Sequence, residues 1–178
     1  MKPTEILMHE HTIVLKMLEG AERLVQTFES THQVDTGKVE KIIDFSRNFT
    51  DGCHHAKEEK HFFTRLQERG MSKEQGPIAV MLHEHSTGRE LIRRLEQALR
   101  DHKLGKIDAA GRITQFIRQY IELLRAHIAK ENNVLFPMSG RYLTPKDQSS
   151  LERAFNELEE RETGKGEHER FHRIAYEL

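Results

Sequence analysis

The chain has 178 residues, with 28 Lys and Arg against 29 Asp and Glu, so its formal net charge is −1. That length suits one domain with a proper core and an appendage, and the charge balance makes no case for nucleic acid or an anionic membrane surface. A single Cys rules out an internal disulfide and any CxxC motif. No apolar run approaches the ~20 residues of a membrane span. The polar start Met1-Lys2-Pro3-Thr4-Glu5 lacks the apolar core of a secretion signal, which makes the cytoplasm the expected location. There are four Pro, placed where they can mark helix ends, and twelve His. The first count predicts long helices; the second asks what the imidazoles are for.

In chain order, the first helix is expected from Pro3-Thr4, with Thr4 as N-cap, to about Thr31. Its inward stripe is Leu7, His11, Val14, Leu18, Ala21, Val25 and Phe28, at alternating steps of four and three. His11 stands where Leu or Val belongs, either bonded to a neighbour or acting as a ligand. His9 turns to another face. The second helix is expected over Lys38 to Arg69, with Val39, Ile43, Ser46, Thr50, Cys53, His54, Glu58, Phe62 and Leu66 inward. An unpaired carboxylate in a core is very costly, so Glu58 implies a cation or a specific partner. Cys53 reads as a small hydrophobe. His55 turns away from His54 and is the weaker ligand candidate. His61, seven residues after His54, lies on nearly the same stripe, as a fifth imidazole or as a proton carrier beside the site.

The third helix follows Gly76-Pro77 and runs to about Lys103, with Ile78, Met81, His85, Gly88, Ile92, Leu95 and Leu99 inward and His83 facing elsewhere. Gly88 costs helix stability, so something needs the room: a bound ligand or a close helix–helix approach. The fourth helix is expected from Asp108 to about Val134, before Pro137, with Ile113, Ile117, Tyr120, Leu124, His127, Glu131 and Val134 inward. Tyr120 is either an ordinary core aromatic or close enough for redox or proton chemistry. Beyond it, Thr144-Pro145 opens a shorter helix with Leu151, Phe155 and Leu158 inward, ending near Thr163-Gly164. That apolar face permits docking to a partner. A charged terminal helix follows Gly166. It carries His168 and His172 four residues apart, and an exposed, solvated helix is expected there.

Short connections between four long helices predict an all-α, antiparallel up-down-up-down four-helix bundle over residues 1–138. Residues 139–178 form a helical extension packed on the bundle or partly exposed. Helices one and three supply one inward His each. Helices two and four supply a His and, four residues on, a Glu, which project from one helix face. The doubling resembles an internal two-fold repeat. One dinuclear metal cluster would satisfy His11, His54, Glu58, His85, His127 and Glu131 together. Nitrogen and oxygen donors without thiolate suit iron, with manganese or zinc less favoured. If both carboxylates and an oxide or hydroxide bridge, and the imidazoles are shared evenly, each metal has five donors and one open position for oxygen, peroxide or nitric oxide. No HExxH, Gly-rich phosphate loop or GxSxG is present. A ferritin-like site needs Glu-x-x-His on two helices; Glu58 and His61 supply one, and the fourth helix has no match.

From about Ile6 to Pro137 these residues resemble the hemerythrin-like (HHE cation-binding) family, whose order is His, HxxxE, His, HxxxE. His54 to Phe63 resembles its HxxxEE segment and His127 to Pro137 its HxxxENxxLFP segment. Gly76 to His85 is similar to the third helix of bacterial di-iron proteins implicated in iron–sulfur cluster repair. The resemblance implies a centre of two non-haem irons held by His11, His54, Glu58, His85, His127 and Glu131, with Glu58 and Glu131 bridging. It further implies a protein that binds or reduces a small diatomic or peroxide ligand. The alternative is a sensor or carrier acting through a redox or signalling partner; whether the chain is an enzyme stays open. Oxygen-carrying relatives have HxxxH on the third helix, where this chain has Arg89, and HxxxxD on the fourth. Cluster-repair proteins have an N-terminal domain with a cysteine pair that this sequence does not contain.

Overall fold

Helix α1 (Pro3–Thr31) begins one residue before the expected cap: Lys2 takes that position, and its backbone N–H donates to Glu5 Oε2 at 2.9 Å. Pro3 suits the first helical position because its missing N–H would have no intrahelical partner there. The computed structural model describes residues 1–163 and 166–178, and all regular structure among them is helical. None of these helices is long and apolar enough to cross a membrane.

Helix α2 spans residues 36–68, and Asp35 caps it by accepting from the Lys38 N–H at 3.0 Å. It is not a regular α-helix. Ser46–His55 and Glu58–Phe62 are π-helical. A π turn bonds to the fifth residue rather than the fourth, so each such turn slips the phase of the inward stripe. The slip buries Phe45, Phe49, Cys53, His54, His55, Lys57, Glu58 and Phe62 together, a wider set than a 3.6-residue period allows.

Helix α3 is Pro77–Lys103. Helix α4 spans residues 109–139: an α segment Ala109–Lys130, a π segment Glu131–Leu135, and a final turn Phe136–Ser139. It therefore runs through Pro137, which lies in the first turn of the resumed α segment, where a missing N–H is tolerated. The π slip also corrects the expected stripe: Val134 is 52% exposed, while Leu135 and Phe136 turn inward.

Helices α1 to α4 form the antiparallel bundle, with α1 and α3 each packed against both α2 and α4. Two apolar clusters fill it. One includes Met17, Leu18, Phe49, Leu95, Ile117 and Leu124; the other includes Leu7, Phe62, Leu66, Met81, Leu135 and Phe155. Along every bundle helix the inward His and Glu fall between members of the two clusters. The site is thus a polar layer enclosed above and below by hydrocarbon.

Helix α5 covers residues 145–163. Thr144 caps it by accepting from the Asp147 N–H at 3.2 Å, and the Thr144 N–H donates to Asp147 Oδ2 at 3.0 Å. The end expected at Thr163-Gly164 falls partly outside the described residues. Leu151, Phe155 and Leu158 are buried within the chain, so the face that would have docked a partner is occupied internally.

Helix α6 (Glu167–Glu177) departs from the expected solvated helix. Phe171, Ile174, Ala175 and Leu178 are buried, and the Phe171 ring lies 5.9 Å from Phe45 and 5.8 Å from Phe49. His168 faces the Phe49 ring and His172 stacks on Tyr176. Gly20 permits the approach, since a Cβ there would lie 2.4 Å from Leu178 Cβ and 3.1 Å from the Leu178 carbonyl carbon. Gly20→Ala is therefore expected to push the C-terminus off α1 and cost about 1–3 kcal/mol. Urea unfolding checks this; an unchanged midpoint would mean that α6 contributes nothing to stability.

Candidate metal centre

The repeat seen in the sequence becomes a geometric pairing in the fold. His11 Nε2 faces His54 Nε2 at 3.0 Å, and His85 Nε2 faces His127 Nε2 at 3.2 Å. The carboxylates span the two pairs. Glu58 places Oε1 3.6 Å from His54 Nε2 and Oε2 3.4 Å from His85 Nε2. Glu131 Oε2 lies 3.1 Å from His11 Nε2 and 3.3 Å from His127 Nε2. All six residues are buried. The structure brings the whole sequence-derived set into one layer.

The ring orientations are held from outside by the other nitrogen. His54 Nδ1–H donates to Glu10 Oε2 at 2.9 Å, His127 Nδ1–H to Glu84 Oε2 at 2.9 Å, and His85 Nδ1–H to Glu59 Oε1 at 2.7 Å. His11 Nδ1–H donates to Asn132 Oδ1 at 2.8 Å. Lys57 holds Glu10 and Lys130 holds Glu84. Such anchoring fixes the tautomer so that each Nε2 presents a lone pair inward.

These outer groups were missed in the sequence, although the repeat marks them. Glu10 and Glu84 each precede an inward His, and Lys57 and Lys130 each precede an inward Glu. Glu59 and Asn132 follow those Glu residues and break the symmetry.

The donors fit a metal pair. No oxygen of Glu58 or Glu131 has a hydrogen bond of ordinary geometry, although both carboxylates are fully buried. Orphaned buried oxygens are costly and call for a missing partner. Facing lone pairs of two imidazoles repel unless a cation lies between them. Two nitrogens bound at right angles to one ion, each at about 2.1 Å, stand about 3 Å apart. The observed separations of 3.0 and 3.2 Å match.

The electrostatics of the free donors agree. Burial, and then the Glu131 charge beside it, push the Glu58 carboxyl well above the ordinary range. Burial opposes the charge of Glu131 too, but His127 and His11 outweigh it and hold that carboxyl well below. Burial likewise disfavours protonated His127, yet Glu131 and Glu84 raise it to about 9. Burial lowers His54 to about 4, with Glu10 only partly compensating. Without metal, a proton on His127 supplies part of the missing positive charge.

His55 corrects the sequence reading: it does not turn away. The π turn swings it into the layer, buried, with its ring stacked on His85 at 3.7 Å and 15°. By distance alone it could join Glu58, His85 and His127 as a donor. Its orientation argues otherwise. Near-parallel stacked rings have near-parallel lone-pair planes, and one ion cannot lie in both.

The remaining candidates sort plainly. His9 and His83 are exposed, and Cys53 is core. His61 lies outside the cluster, its ring 6.4 Å from that of Phe155. Tyr120 is buried, and burial pushes its phenol up to about 12.

The comparisons with known proteins accord with this geometry. The hemerythrin HHE cation-binding domain model matches residues 2–139, and the chain belongs to that family. Among curated proteins, an uncharacterized protein of Mycobacterium tuberculosis (strain ATCC 25618 / H37Rv) is 23% identical over 160 residues, covering 90% of this chain and 62% of the relative. A Mycobacterium bovis protein, also uncharacterized, matches at the same identity and coverage. The iron-sulfur cluster repair protein YtfE of Edwardsiella ictaluri is 32% identical over 126 residues, covering 64% of this chain and 55% of YtfE. The chain thus spans less than two thirds of these relatives.

Proposed function

We propose that this chain holds two non-haem iron ions through His11, His54, Glu58, His85, His127 and Glu131, and binds or reduces a small oxidant there. The observation that carries the reading is the pair of buried carboxylates whose oxygens lack hydrogen bonds inside a ring of inward Nε2 atoms. Imidazole and carboxylate donors without thiolate suit iron or manganese, and the resemblance to the hemerythrin family favours iron. Iron so held supplies reversible binding of, or electrons to, oxygen, peroxide or nitric oxide. The protein's own part is to fix four imidazoles by their Nδ1 atoms, to span the pair with two carboxylates, and to keep the layer dry between two apolar clusters. The similarity to an iron-sulfur cluster repair protein supports a role in iron handling, and a small oxidant at the centre would extend that role to oxidative or nitrosative stress.

The test is anaerobic loading with ferrous iron, metal counting, then admission and removal of oxygen while the visible spectrum is recorded. Two irons per chain are expected. A spectral change that reverses on oxygen removal identifies a carrier or sensor, which would act through a partner protein; oxygen consumed irreversibly identifies a redox role. A chain that takes up no iron overturns the proposal.

Loading should also depend on pH. His127 is protonated below about 9 in the free protein, and binding must displace that proton. Apparent affinity is expected to rise with pH up to about 9 and to fall below it, by about tenfold per pH unit for each proton released. Competition titrations at three pH values check this, and a flat profile would contradict it.

A further inference from the structure

A cavity of about 260 Å³ opens at the surface between α2 and α3 and ends at His55. Ser46, Asp51, Gly88, Arg89 and Tyr120 line it with that imidazole. The Arg89 guanidinium holds the mouth by donating to Asp51 Oδ1 at 2.8 Å and to Glu59. Glu59 in turn orients His85, so the mouth and the metal layer share a residue.

Three observations mark this cavity as built. The first is Gly88. A Cβ there would meet Tyr120 Cε2 at 3.6 Å and Leu123 Cδ2 at 3.7 Å, both ordinary contacts. The helices therefore do not require glycine for close approach; its missing side chain leaves room in the cavity. The second is polarity. Ser46 lines the cavity, and its buried Oγ, which pulls on the Tyr120 phenol, has no hydrogen bond of ordinary geometry. A buried hydroxyl left open in this way suits a water or a small polar guest.

The third observation is asymmetry. The pseudo-two-fold relates Gly88 to Val14 and His55 to Ile128, because each pair stands at the same offset from its inward His. Val14 and Ile128 are buried hydrocarbon, so the other half has apolar bulk where this half has a hole and an imidazole. The His54 flank is closed as well, because Glu159 of the extension reaches Lys57 at 3.0 Å over Glu10.

We propose that this cavity is the entry chamber for a small oxidant or anion, and that His55 is its inner wall. Exogenous ligands then meet the His85 and His127 side of the layer and not the His11 and His54 side. The inference rests on the metal reading above and adds to it a route, a wall and a side.

The test is stopped-flow binding of azide to the ferric, iron-loaded full chain, with iron counted before azide is added. Gly88→Leu fills the chamber and is expected to slow azide binding by about tenfold or more at unchanged iron content. His55→Ala removes the wall and is expected to speed binding severalfold, also at unchanged iron content. Helical circular dichroism of the metal-free variants checks that each folds, and His55→Ala decides alone should Gly88→Leu fail. An unchanged rate in a folded, loaded Gly88→Leu places entry elsewhere and overturns the proposal. Loss of iron in His55→Ala makes His55 a ligand rather than a wall and overturns it too. A wild-type chain without iron defeats the metal reading itself, which the count reveals before azide is used.

Discussion

Glu58→Gln is expected to reduce bound iron from two per chain to at most one while leaving the metal-free fold as stable as wild type, or more so. The side chain keeps its shape but loses its charge, and burial already disfavours that charge in the free protein. Glu131→Gln should differ. Its carboxylate is the one that His127 and His11 hold ionised, so neutralising it leaves buried imidazole charge without a partner and lowers the stability of the metal-free chain as well. Both variants should lose most of the stabilisation that metal confers, which for one ion at a hundredfold excess over Kd is about 2.7 kcal/mol. Iron analysis and thermal unfolding with and without metal distinguish the cases. Full loading of both variants would show the ligand set to be wrong.

Lys57→Met is expected to destabilise the chain by about 3–5 kcal/mol, the usual cost of removing one partner from a buried ion pair. Lys57 is fully buried and bonded to Glu10 and Glu159. Glu10, held down to about 2 by His54 and Lys57 against the opposing effect of burial, would keep its charge with half its support. Adding Glu10→Gln should recover part of the loss, because the stranded charge is then gone. Urea unfolding of the two single variants and the double variant measures the coupling. Additive losses would mean that the pair does not act as a unit. The same pair steadies His54 Nδ1, so iron affinity should fall along with stability.

The metal layer was legible because it violates an otherwise regular pattern. His11, His54, Glu58, His85, His127 and Glu131 interrupt apolar stripes at positions where solvent cannot reach, and a periodicity argument finds such interruptions. His55 escaped the same argument because a regular α-helix turns adjacent residues well apart. The π turn that brings it inward is a shift in hydrogen bonding with no compositional signature. Val134 and Leu135 exchanged places for the same reason. The outer carboxylates hid differently: Glu10, Glu59 and Glu84 look like ordinary surface charge until their lysine, arginine and histidine partners are placed. The terminal helix was misread from its charge, although Phe171, Ile174, Ala175 and Leu178 stand at the spacing of a narrow buried stripe.

The π segments of α2 have a bearing on protein engineering. The helix must satisfy a phenylalanine cluster at each end and a chelating layer in the middle, and no single pitch satisfies all three. Stretching the winding between Ser46 and Phe62 works like a vernier, carrying the register from one requirement to the next. Idealising this stretch for stability, by shortening it or rebuilding it as uniform α-helix, would return the ends to phase only by rotating His55 or the phenylalanines outward. A stabilised redesign of this bundle should leave those residues underwound as they are and spend its changes on α1 and α3.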